Sequence, residues 1–159
     1  MANDDDAFVF DKAEYHSGGD WPEGLDQHQS FVHTGMYLAW LLNRDLVRAD
    51  AFYNETGRAL RDRLARREVT GAHVEGEWFD GALTSDLLTE EGERFSRDYY
   101  DLDTGLFIDD YEELLAQNVP DVYYVQDSWE NFDTLVPRLD QRFEEWRNRP
   151  PRRRFGRRR

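Results

Sequence analysis

Apolar residues recur at helical spacing along most of the chain. Residues 27–43 contain no Asp, Glu, Lys or Arg. Phe31, Leu38 and Leu42 fall on one helical face with Gly35, while Met36, Tyr37 and Trp40 cover much of the rest. A helix apolar nearly all round is a buried one, so this segment is expected to be the central core helix. Gly35 would then admit a close neighbour. A second helix is expected from an Asp50 cap to about Glu68, with Phe52, Leu60 and Leu64 inward. Thr70 and Gly71 open a short third helix in which Val74 and Trp78 share a face. Thr89 ahead of Glu90 and Glu91 caps a fourth, containing Phe95 and Tyr99. Asp109 and Glu112 have capping-box spacing for a fifth, with Tyr111, Leu114 and Leu115. Residues 122–125 read as the best strand, and Phe8, Val9 and Phe10 as another short one. In the last helix Phe132, Leu135, Val136, Leu139, Phe143 and Trp146 lie within an arc of roughly 100°. Pro137 predicts a kink or a fresh start capped by Thr134.

These elements predict a mainly α fold: one compact domain of about five to six helices with at most a small β element. The length of 159 residues suits one such core. A third of the residues are charged, but 23 are Phe, Trp or Tyr, enough apolar area to build a core from end to end. Residues 1–26 read as a polar, turn-rich segment packed on the domain, with Trp21 beside Pro22 as a surface plug. Residues 27–149 form the helical domain. Residues 150–159 are expected to be a disordered, arginine-rich tail.

Charge divides the chain. The net charge is −14, but residues 147–159 hold eight arginines and no acid; removing those eight leaves residues 1–146 at −22. A body this acidic is not a nucleic-acid-binding surface of the usual kind, which must neutralise phosphates with cations. It favours a basic protein partner instead. The tail arginines Arg152, Arg153, Arg154, Arg157, Arg158 and Arg159 offer the one route to nucleic acid or an anionic membrane. Cysteine is absent, which excludes disulfides, thiolate zinc sites and a cysteine nucleophile. The only lysine, Lys12, limits Schiff-base chemistry to one candidate. Asp4, Asp5 and Asp6 stand where a basic region would open a signal peptide, and residues 27–43 are too short and too polar to span a bilayer; a cytoplasmic protein is expected.

Candidate chemistry is sparse. No nucleophile elbow, zinc-protease helix, phosphate loop or dinucleotide fingerprint occurs, so no cofactor is expected and an enzyme is the lesser expectation. Among four histidines, His33 lies inside the apolar helix and His73 one turn from Glu77. Either could join a metal site assembled in space, although His33 also suits a hydrogen-bonded core position. Asp101, Asp103, Asp109 and Glu112 occupy positions 1, 3, 9 and 12 of a helix–calcium loop–helix register. Gly105 and Leu106 break that pattern at positions 5 and 6, where a ligand and a glycine belong. A helix stop at Gly105 and a cap at Asp109 account for the same residues.

Four segments, 31–44, 83–92, 110–115 and 129–146, together resemble a family of uncharacterised small bacterial proteins, a domain of unknown function. They include Phe31-Val32-His33-Thr34-Gly35, Leu83-Thr84-Ser85-Asp86, Asp110-Tyr111-Glu112-Glu113 and Trp129-Glu130-Asn131-Phe132. The resemblance covers about residues 8–147, implies a small bacterial cytosolic domain, and transfers no site residue. Small acidic proteins of this type resemble immunity or antitoxin partners of secreted toxins. The expected function is therefore an acidic protein-binding module that neutralises a basic partner. A small metal-dependent or calcium-binding protein, and an acidic module tethered by its arginine tail, are the alternatives.

Overall fold

The computed structural model describes residues 7–149. A short strand, β1 (Val9–Lys12), leads into α1 (Ala13–Ser17). Then come α2 (Val32–Asn43), α3 (Glu55–Ala65), α4 (Gly71–Trp78), β2 (Ala82–Thr84), α5 (Glu90–Tyr99), α6 (Phe107–Leu115) and α7 (Trp129–Arg147). The described residues thus form a mainly α single domain with seven helices and one two-stranded antiparallel sheet.

The apolar helix is central, as its composition predicts. A 3-10 turn over Gln27–Phe31 precedes α2, in which every residue from Val32 to Leu41 is buried. Tyr37 and Trp40 are almost wholly enclosed by Phe95, Tyr99, Tyr100, Phe107 and Phe143. Each such ring removes about 150–250 Å² from water, worth about 4–6 kcal/mol before ordering costs. Against its other side lies α4. A Cβ on Gly35 would run into the backbone of Gly71 and Ala72, and one on Gly76 into the Phe31 ring. The register therefore runs antiparallel, with Gly35 over Ala72 and Phe31 over Gly76. Hydrogen, as the only side chain at Gly35 and Gly71, permits this approach.

The sheet positions the first strand with an irregularity that matters. Val9 pairs with Thr84, Asp11 with Leu83 and Lys12 with Ala82, and the register shifts between Val9 and Asp11. Successive strand residues normally face opposite ways, but a bulge places an extra residue in one strand. Phe10 and Asp11 are consequently both buried.

Four local expectations are corrected. Asp50 does not cap α3: it lies in a 3-10 turn holding Arg48, while Asn54 accepts the Gly57 N–H at 2.9 Å. Phe52, buried between Arg61 and the rings of Trp78 and Phe79, has a non-helical backbone that delays the helix. Asp109 does not cap α6, which starts two residues earlier at Phe107; Asp109 and Asp110 instead sit in its first turn, where the helix dipole favours acids. Residues 122–125 are not a strand. Val122–Tyr124 is a 3-10 turn capped by Asp121, and Gln29 donates to the Tyr123 and Val125 carbonyls that a ladder would use. Finally, α7 does not restart at Thr134. It runs unbroken from a Ser128 cap through Pro137, whose position faces solvent, so water can satisfy the Asp133 carbonyl that proline cannot bond.

Candidate functional site

The bulge turns Asp11 into the domain, where its carboxylate becomes the hub of a buried polar centre. His16, one helical element later on α1, approaches Asp11 Oδ1 through Nε2 at 2.6 Å. His33, near the start of α2, approaches Oδ2 through Nε2 at 2.9 Å. Thr34 and Tyr100 hydroxyls donate to the same Oδ2 at 3.1 and 2.7 Å. Asp11 has no exposed side-chain surface and His33 only 1%, whereas His16 retains 11%. His16 Nδ1 meets the Tyr123 hydroxyl at 2.6 Å, so a chain of polar contacts leads from Asp11 to the half-buried ring of Tyr123. Trp21 lies against that ring at 5.1 Å, consistent with a plug at the domain surface.

The electrostatics follow from this enclosure. Burial raises the Asp11 carboxyl, but hydrogen bonds from His16 and His33, with the charge of the imidazoles, outweigh it and hold its pKa well below the usual carboxylate range. Burial pushes the Tyr100 hydroxyl far up, and the Asp11 charge adds to that. It therefore stays a neutral donor. Tyr123 is raised for the same two reasons, with Asp121 contributing.

A second carboxyl lies alongside. Glu75, on α4, is fully buried, and among the described residues neither of its oxygens has a hydrogen-bond partner. The antiparallel register of α2 and α4 sets it beside the turn carrying His33 and Thr34. Burial first, and then the Asp11 charge, push its pKa well above the ordinary value, and the charges of both acids act on Tyr100. Among the described residues, one further buried side-chain atom lacks a partner, the Tyr111 hydroxyl. Its ring packs edge-on to His33 at 6.1 Å.

The residues singled out from the sequence are mostly elsewhere. Of them only His33 enters this centre. The other groups of the centre, Asp11, His16 and Glu75, carry faint signals: Asp11 is an acid within an aromatic strand, and Glu75 falls one turn after Gly71. His73 lies at the surface, 3.5 Å from Glu77. Asp101 spends its Oδ1 on its own turn, accepting from the Asp103 and Thr104 N–H groups at 2.9 Å each, and these bonds lower its pKa. Asp103, Asp109 and Glu112 are exposed. Among the described residues the four do not converge on a common point; the carboxylate and imidazole atoms that do are those of Asp11, His16 and His33, all within 4.8 Å of one another. The tail arginines Arg152, Arg153, Arg154, Arg157, Arg158 and Arg159 lie outside the described residues.

Four acids of residues 101–112 stand outside the ion pairs formed among the described residues. Arg138 and Arg142 are engaged with buried Asp110, Arg67 with Asp133, Arg44 with Asp140 and Glu144, and Arg147 with Glu91 and Glu144. Among the described residues no cation pairs with Asp101, Asp103, Asp109 or Glu112, and between these acids Leu102 and Leu106 are 40% and 42% exposed.

A family model described as Domain of unknown function (DUF7832) matches residues 9–125, and the chain belongs to that family. Asp11, His16, His33 and Glu75 lie within the matched segment, as do the acids of residues 101–112, whereas α7 lies beyond it. No curated protein and no solved structure matches the chain.

Proposed function

We infer that this member of the family is an acidic binding module that docks a basic protein partner in the cytoplasm. Its docking surface is the α5–α6 connection with the first turns of α6. The observation that carries this reading is that Asp101, Asp103, Asp109 and Glu112 pair with no cation among the described residues and are interspersed along the chain with exposed Leu102 and Leu106. Apolar anchors inside a charged rim are how protein interfaces are commonly built. With −22 on residues 1–146, the field around the body accelerates encounter with a cationic protein and disfavours acidic ones. Neutralising a basic toxin, in the manner of an immunity or antitoxin-like protein, is the role that suits such a surface.

The test is affinity capture from the native host at low salt with two baits: the native chain and an Asp109→Lys/Glu112→Lys/Leu106→Ser variant. Support requires a protein of basic isoelectric point held by the native bait, lost from the variant, and bound with an association rate that falls steeply with ionic strength. Equal capture by both baits, or no basic protein on either, overturns the reading.

A further inference from the structure

We propose that Asp11, His16, His33 and Glu75 form a structural site for one divalent transition-metal ion, which ties β1, α1, α2 and α4 together. The docking surface plays no part in the argument. Three potential ligand atoms, one carboxylate oxygen and two imidazole nitrogens, already lie within 4.8 Å of one another in the interior. Tetrahedral ligands about 2.1 Å from a zinc ion stand somewhat more than 3 Å apart, so small side-chain adjustments would admit the ion.

Glu75 is the independent observation. Buried polar atoms are nearly always hydrogen-bonded, and an unpaired one costs about 1–3 kcal/mol. Glu75 leaves two such oxygens unpaired, in the register position that faces the His33 turn. Among the described residues no donor reaches these oxygens, whereas a cation held by Asp11, His16 and His33 would give them a partner. Asp11, Glu75 and a divalent ion together carry no net charge, which removes the expense of two buried carboxylates in one core.

The donor set indicates the kind of ion. Two imidazoles and two carboxylates suit zinc, manganese, iron or cobalt in the divalent state; magnesium and calcium prefer all-oxygen shells, and cuprous ions prefer sulfur. Asp11, His16 and His33 supply three gathered ligands; Glu75 stands outside their 4.8 Å group and would close the shell by turning toward the ion, giving the four-ligand pattern of structural rather than catalytic sites. The supporting contacts are also in place. With Nε2 of His16 on the metal, its proton resides on Nδ1 and is donated to the Tyr123 oxygen, which fixes the ring. Tyr100 and Thr34 similarly orient the Asp11 carboxylate. The partly exposed edge at His16 provides the way in.

The experiment is a titration of the full chain, after dialysis against chelator, with Zn²⁺ and separately with Co²⁺. It is followed by calorimetry, thermal melting and the visible spectrum of the cobalt form. The expected result is one ion per chain, a higher melting temperature, and the intense visible bands of low-coordinate cobalt. Asp11→Asn and His33→Gln alter the innermost groups and could unfold the chain, so His16→Ala decides the assignment, with surface His73→Ala as control. Affinity should fall more than about 100-fold in His16→Ala, beyond the tenfold to 100-fold expected for losing a supporting contact, and stay unchanged in the control. Glu75→Gln, a neutral isostere, should keep the fold and weaken binding at least about tenfold. Absence of stoichiometric binding, full affinity in His16→Ala, or full affinity in Glu75→Gln overturns the proposal.

Discussion

Replacing Gly35 by alanine tests the contact on which the interior site depends. In an open helix this change stabilises by about 0.5–1 kcal/mol, because alanine loses less backbone freedom on folding. Here the added methyl would stand 2.7 Å from the Gly71 carbonyl carbon, and closer still to the nitrogen and Cα of Ala72. Ordinary contact begins near 3.4 Å, so the shortfall is at least 0.7 Å against backbone atoms that cannot rotate aside. Relief requires α2 and α4 to separate, pulling Glu75 away from the start of α2. Overpacking of this kind costs about 1–3 kcal/mol, enough to invert the intrinsic preference. Set against the intrinsic gain, this leaves a net loss of up to about 2.5 kcal/mol; at about 2–4 °C per kcal/mol for a chain of this size, Gly35→Ala should melt up to about 10 °C below the native chain. Gly76→Ala is the comparison: its methyl would meet only the far edge of the Phe31 ring at 2.9 Å, which can swing, so its loss should be smaller. Differential scanning calorimetry of both variants decides the matter. A Gly35→Ala chain as stable as the native one, or more stable, would refute the close-approach argument.

Two further outcomes concern charge. Asp110 accepts from Tyr99 at 2.6 Å, from Arg138 at 2.7 Å and from Arg142 at 2.8 and 2.9 Å, so Asp110→Asn leaves Arg138 with Glu113 alone and Arg142 with only Glu145 at 3.7 Å, and should cost about 3 kcal/mol in urea unfolding. Burial raises this carboxyl, but the bonds from Arg142, Tyr99 and Arg138 prevail and lower it; its stabilisation is therefore complete above the ordinary value of 3.8 and lost as pH falls through the folded value. The acid limb of native stability should flatten in Asp110→Asn, and an unaltered limb would contradict the assignment. His28 has the opposite sign: its bond to Asp127 at 2.8 Å raises it above 6.5 despite burial, so its contribution is full below that value and disappears as pH rises through the folded pKa. Since the side chain is 36% exposed, the effect on stability should stay below about 1 kcal/mol, and ring-proton NMR is the better readout. Asp127→Asn should return the midpoint toward 6.5; a midpoint that does not move would exclude Asp127 as the cause.

The sequence carries local information well where one strong pattern acts alone. The charge-free stretch at residues 27–43 identifies the core helix, because such a surface has nowhere to go but inside. Thr70 and Thr89 announce their helices, each accepting an N–H three residues ahead. Where two signals compete, tertiary packing chooses. Asp50 and Asn54 are both acceptable caps, and the burial of Phe52 selects Asn54. Residues 122–125 have strand composition, but the strand partner of β1 is Ala82–Thr84, and Gln29 claims the carbonyls instead.

The candidate site belongs to the second category almost entirely. Strand alternation cannot indicate that Asp11 turns inward beside Phe10, because that depends on a bulge set by pairing with β2, more than seventy residues away. Nor does helical periodicity alone reveal that Glu75 is enclosed, since this follows from how nearly Gly35 lets α4 approach. Composition and periodicity determined the helices, the aromatic core and the acidic body, all of which arise from neighbours within a few turns. Only the folded chain brought Asp11 to His33, 22 positions on, and to Tyr100, 89 positions on. Contacts at that separation are settled by the packing of whole elements, and a carboxylate's chemistry is settled by what it meets there.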